Sequence, residues 1–128
     1  MNLNIPSKIA KVGGVLISIS GVVNAILGIR IGATFYDAYP GGKMGHVGVI
    51  AGVAAVVIGL IILFLIIPIY KKKNRLLVLL GGVLTIVFGH IGGIAGAIYV
   101  GTAGVVLCYT AGVWVIVAVV KGLRRRAV

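Results

Sequence analysis

The 128-residue chain is 61% hydrophobic and only 10% charged, which excludes an ordinary soluble globule and leaves room for one domain. Lys and Arg number 12 against a single acid, Asp37, so the net charge of +11 can hardly be neutralised within the chain. That excess needs an external anion, either lipid headgroups or nucleic acid phosphate. The scarcity of carboxylates also suits an acidic exterior, where Asp and Glu would lose their charge and Lys and Arg keep theirs.

At the N-terminus, Lys8 and Lys11 precede an apolar run, and Val23-Asn24-Ala25 resembles a secretory cleavage site. Apolar sequence continues past it to Ala33, so we read a retained first helix over about 7–34, started by Pro6 and Ser7. Pro40-Gly41-Gly42 cannot continue a helix and marks the clearest loop, 35–43. Asp37, between Tyr36 and Tyr39, is read there as a turn former. The second helix starts near 44–47 and runs to Tyr70. Its 47–70 stretch, VGVIAGVAAVVIGLIILFLIIPIY, holds no charge across 24 positions. At 1.5 Å per residue it rises about 36 Å, enough to cross a hydrocarbon layer of about 30 Å with some tilt. Lys71, Lys72, Lys73 and Arg75 then form a basic stop that fixes this end at a polar surface. Residues 76–120 carry no Lys, Arg, Asp or Glu and are twice the length of one span, so a turn must lie inside them, in the zone 89–104. A third helix precedes that turn, and a fourth runs over about 102–123.

An internal repeat supports this division. Gly13-Gly14-Val15-Leu16, Gly21, Ile26 and Gly28 recur 68 positions later as Gly81-Gly82-Val83-Leu84, Gly89, Ile94 and Gly96, seven identities in sixteen positions. Gly48-Val49 then matches Gly104-Val105. The fold predicted is a single all-α domain over 1–128, built of four long hydrophobic membrane-type helices as a duplicated helical hairpin, with repeat units of about 1–70 and 71–128. With both termini on one side, that side holds Lys8, Lys11, Lys71, Lys72, Lys73, Arg75, Lys121, Arg124, Arg125 and Arg126, and the other only Arg30 and Lys43. This is a positive-inside pattern, so the basic side is expected to be cytoplasmic in a membrane. Tyr36, Tyr39 and Tyr99 fall toward the opposite interface.

Small residues recur at three- and four-residue steps on every helix: Gly14, Ser18, Gly21, Ala25, Gly28 and Gly32 on the first, Gly45, Gly48, Gly52, Ala55 and Gly59 on the second. Gly82, Gly89, Gly93 and Gly96 form a partial set on the third, and Gly101, Gly104, Cys108 and Ala111 follow on the fourth. Such stripes let backbones approach closely. Glycine costs up to about 1 kcal/mol per helical position relative to alanine, so close packing must return more than that. Gly14, Gly21, Gly28, Gly48, Gly52, Gly59, Gly89, Gly96 and Gly104 are the predicted packing positions.

Groups that support chemistry are sparse. One carboxylate rules out paired-carboxylate catalysis within a chain, His46 and His90 make a poor metal site, and Cys108 permits neither an internal disulfide nor a cysteine cluster. No phosphate loop or nucleophile constellation occurs. We expect no enzyme, no cofactor and no metal. Asn24 is read as an interhelical hydrogen-bond donor, and Trp114 as a mid-span packing residue. Lys71, Lys72, Lys73, Arg75, Lys121, Arg124, Arg125 and Arg126 form a basic face for DNA or anionic lipid. Without interleaved aromatics, DNA contact there would be sequence-independent.

Duplicated Gly-rich apolar hairpins with one basic face and no catalytic groups resemble the capsid proteins of spindle-shaped archaeal viruses, the larger tailed forms in particular. The resemblance implies a major capsid protein that enters the host membrane and then assembles with many copies of itself around the genome. In that setting the helices pack against neighbouring subunits and the two basic runs meet packaged DNA non-specifically. It further implies a virion location after a stage as an integral membrane protein. The rival expectation is a four-span membrane protein such as a small channel, transporter subunit or holin-like pore. Against it stands the lack of intramembrane acids.

Overall fold

The computed structural model describes residues 2–35, 44–95 and 98–127, with side-chain surroundings for 2–26, 49–95 and 100–125. Two of its helices begin at asparagine caps. Asn2 Oδ1 accepts the Asn4 N–H at 3.0 Å, opening α1 (Asn4–Phe35). Asn74 Oδ1 accepts the Leu76 N–H at 3.0 Å and opens α3 (Arg75–Ala95). Each cap satisfies an amide that the first helical turn would leave without a partner. The other two elements are α2 (Met44–Ile61) and α4 (Ile98–Ala127).

α2 does not continue as a regular helix to Tyr70. A π turn over Ile62–Ile66 follows it, then a 3-10 turn over Ile67–Lys71. Pro68 is the cause: it has no N–H for the carbonyl four residues back, and its ring would collide with that carbonyl. The chain widens before the proline, with the Ile67 N–H bonded to the Ile62 carbonyl, and tightens after it. Lys72 is extended, and the path turns into α3.

The helices form an antiparallel four-membered bundle. α1 packs along α2, with Gly14 beside Gly59 and Gly21 beside Gly52. α3 packs along α4, with Gly82 beside Gly112 and Gly93 beside Gly101. In both pairs residue numbers rise on one helix as they fall on the other. α1 also lies against α4, where Ile17 meets Gly104, and α2 against α3, where Ile58 meets Gly92. The four helices contain the stretches Asn4–Ile26, Val49–Lys71, Arg75–Ala95 and Val100–Arg125, each long and apolar enough to cross a membrane. Among the described residues there is no strand.

The interior is filled by Ile17, Ile62, Val78, Val115 and Val119, with Ala10, Ala55, Cys108 and Ala111 where helices come closest. The outer surface is as apolar as the core: Ile50, Phe64, Leu76 and Ile94 are each 69–72% exposed. So large an aliphatic surface is not tolerated in water, and lipid or other apolar chains must cover it. Trp114 belongs to that exterior at 44% exposed, not to the mid-span packing expected of it. α1 starts at Asn4 instead of Ser7, and α4 at Ile98 instead of about Thr102. The expected loop, with Asp37, Tyr36 and Tyr39, lies outside the described residues, as does Gly96.

Candidate polyanion-binding face

The antiparallel path brings the start of α1, the 71–75 linker and the end of α4 to one end of the bundle. Lys8, Lys11, Lys71, Lys72, Lys73, Lys121, Arg124 and Arg125 are all exposed there. Arg126 is helical, but its side chain lies outside the described residues, as do those of Arg30 and His46. No salt bridge engages any described cation, since no carboxylate lies among the described residues. The N-termini of α1 and α3 lie at the same end as the C-termini of the second and fourth helices, so the helix dipoles largely cancel there. This face therefore presents side-chain charges of one sign, a field that attracts anions.

Arg75 differs from its neighbours. It is half-buried, and its guanidinium lies against Gly122 of α4, where an added Cβ would meet Nη1 at 3.0 Å. That Nη1 is shut off from solvent and has no hydrogen-bond acceptor. Beside it, between the first turn of α1 and the linker, opens a cleft of about 700 Å³. Asn2, Asn4, Ser7, Arg75 and the three lysines 71–73 supply its polar lining, and the buried Leu3 and Tyr70 its apolar part. Tyr70 is held by its hydroxyl, which pairs with Thr85 Oγ1. Thr85 gives its own proton to the Gly81 carbonyl at 2.8 Å, so Tyr70 is the donor. The ring rests on Gly81, where a Cβ would come within 3.3 Å of it.

The small-residue stripes have a definite destination, the inside of this chain. A Cβ at Gly21 would lie 2.5 Å from the Gly52 carbonyl oxygen, and one at Gly52 would lie 2.5 Å from that of Gly21. Gly59 faces Gly14 and the Ser18 hydroxyl, Gly89 faces Cys108, and Gly104 faces Gly13 and Ile17. The stripes therefore seal helix to helix within one subunit, and the outward faces carry Val, Leu, Ile and Phe instead. Gly28 and Gly48 lie on α1 and α2, with surroundings outside the described residues. Sequence reasoning overlooked Gly92, wedged between Ile17 and Ile58, and Gly112, the partner of Gly82. Gly112 carries a legible signal, since it continues the four-residue step of Gly104 and Cys108.

Asn24 donates from Nδ2 to the Ala95 carbonyl at 2.9 Å, joining α1 to the end of α3 as an interhelical bond. His90 Nδ1 and the Tyr109 hydroxyl lie 3.2 Å apart on the exposed side of α3 and α4. Among the described residues no three His, Cys, Asp or Glu side chains come together as metal ligands. Ser20, Ser18 and Thr110 return their hydroxyls to carbonyls of their own helices. A continuous polar path through the bundle is therefore missing among the described residues. Comparison with known proteins returned no matching family, no similar curated sequence and no similar solved structure.

Proposed function

We propose that this chain is a self-assembling structural protein, the major capsid protein of a spindle-shaped archaeal virus, which enters the host membrane as a four-helix unit before assembly. The observation that carries the reading is the division of the surface. The flanks are largely aliphatic, while the exposed cations whose side chains are described gather at one end. A subunit of this kind lies side by side with copies of itself through its flanks and offers a uniform basic face to a polyanion. Contact with DNA would be made to phosphates, without base readout. Among the described residues the interior is filled by apolar side chains, unlike the polar path that a transported ion uses.

The test is buoyant-density fractionation of cell-free supernatant from the source culture, with mass spectrometry for the 13.1 kDa chain and an assay for nuclease-protected DNA. Chain and protected DNA banding together, with the chain as the major protein, is the expected result. Replacing Arg124, Arg125 and Arg126 by Gln should reduce retained DNA more than particle yield.

The second reading, an integral four-span protein that remains in the membrane, is favoured by one specific observation: the close-packing glycines are spent within the chain, leaving a lipid-compatible exterior. A chain that stays with the cell membrane and dissolves in detergent as a small DNA-free oligomer would establish it over the capsid.

A further inference from the structure

The cleft at the basic end has features that general attraction to anions does not require. A basic fringe needs only solvated lysines, and the exposed Lys71, Lys72 and Lys73, which also line the cleft, meet that need. Arg75 instead is half-buried against α4, with Nη1 unpaired and out of reach of solvent. Withdrawing a guanidinium nitrogen from water without an acceptor is costly. Among the described residues no carboxylate repairs this. A counter-ion from outside meets Arg75 at the cleft that this residue lines, on the side away from Gly122.

We propose that the cleft between the first turn of α1 and the 71–75 linker binds the phosphate of an anionic lipid headgroup, with Arg75 as the anchoring cation. Guanidinium presents a fixed fork of donors that matches phosphate oxygens in pairs. Lys72 adds charge at the rim, and Asn4 and Ser7 bring neutral donors from the opposite wall.

Depth and shape favour lipid over nucleic acid. The lining belongs to the ends of the apolar stretches Asn4–Ile26, Val49–Lys71 and Arg75–Ala95, at the level where hydrocarbon gives way to headgroups. Leu3 and Tyr70 make part of the wall apolar, as the stem of a headgroup requires. A headgroup on a flexible stem enters a concavity of about 700 Å³ and leaves its acyl chains on the aliphatic flanks. Duplex phosphates, held on a rigid rod, meet the exposed lysines at the rim sooner than the half-buried Arg75.

This inference rests on the membrane-inserted stage of the proposed function and not on assembly or DNA. The full chain in detergent is therefore assayed by native mass spectrometry for retention of phosphatidylglycerol against phosphatidylcholine. Retention of phosphatidylglycerol is expected to be about tenfold stronger, and Arg75→Gln to remove that preference, in keeping with one charge-assisted pair. Arg75→Lys, which keeps charge but loses the fork, should fall between. Arg30→Gln removes a charge on the other side, outside the basic face, and should change retention by no more than about twofold. Equal retention of the two lipids, or an Arg75→Gln effect no larger than that of Arg30→Gln, would overturn the site. Should Arg75→Gln expose the buried Cys108 and so report unfolding, Lys72→Gln takes its place; it must weaken retention for the site to stand. A 20-base-pair duplex or millimolar inorganic phosphate that displaces the lipid would overturn the headgroup assignment. Failure here with DNA-bearing particles still banding would sink the cleft alone.

Discussion

Gly52 provides the sharpest test of the packing argument, because its neighbours cannot yield. A methyl group placed there lies 2.5 Å from the Gly21 carbonyl oxygen, 2.6 Å from the Ala25 nitrogen and 2.9 Å from the Ala25 Cα, all of them backbone. Relief requires α1 and α2 to part by about 1 Å, and a gap of that size forfeits about a quarter to a half of each dispersion contact along the seam. Overpacking of this kind costs about 1–3 kcal/mol. Alanine returns up to about 1 kcal/mol through helix propensity, leaving Gly52→Ala destabilised by about 1.5 kcal/mol. Gly122→Ala is the control: its nearest atom is the end of the flexible Arg75 side chain at 3.0 Å, so propensity prevails and stability is unchanged or higher. Gly14→Ala falls between, with Leu63 Cγ at 3.1 Å and the Gly59 carbonyl oxygen at 3.3 Å. The fully buried Cys108 serves as the reporter, through its rate of maleimide labelling in mixed micelles under conditions where reclosing outpaces labelling. Gly52→Ala should label about tenfold faster than the unaltered chain. Labelling at or below the unaltered rate, or equal shifts for Gly52→Ala and Gly122→Ala, would refute the close approach of α1 and α2.

The same reporter tests the buried Tyr70–Thr85 pair. Thr85→Val leaves the Tyr70 hydroxyl without its acceptor and should cost about 1 kcal/mol, most of it recovered in the double variant with Tyr70→Phe; strictly additive costs would contradict the bond. Asn24→Ala removes the link to the Ala95 carbonyl and should likewise cost about 1 kcal/mol, with no change meaning that the α1–α3 bond contributes nothing. Pro68→Ala restores a backbone N–H, so residues 62–71 should rewind toward regular α-helix with altered amide exchange; a persisting π turn would clear Pro68 as its cause. In a Cys108→Ala background, Lys72→Cys and Arg125→Cys should react with an impermeant maleimide from the same side of a membrane. Labelling from opposite sides would contradict the antiparallel four-helix path.

The sequence alone determined the number and character of the helices. Uninterrupted apolar runs, Pro40-Gly41-Gly42 and the cluster at 71–75 leave four spans as the only way to place 128 residues. It also determined that ten of the twelve cations share one end, because an even number of antiparallel spans returns the chain to the side on which it began. The glycine stripes were equally legible as surfaces of close approach, and Asn24 as a hydrogen-bond donor between helices. Their partners were not, because a stripe reads the same whether another helix of the chain or a neighbouring subunit fills it. Only the tertiary structure decided that Gly21 meets Gly52 and Gly89 meets Cys108 inside one bundle, leaving Val, Ile, Leu and Phe to face outward. The break in the second helix had its cause in plain sight at Pro68, but how the chain absorbs a missing amide, by a π turn and then a 3-10 turn, depends on which side chains must stay buried around it. The cleft was least legible of all. Asn4 and Ser7 lie about 70 positions from Arg75 in the sequence, and nothing local distinguishes Arg75 from the lysines beside it. Its recess comes from the meeting of three helix ends, where Gly122 leaves room for a guanidinium.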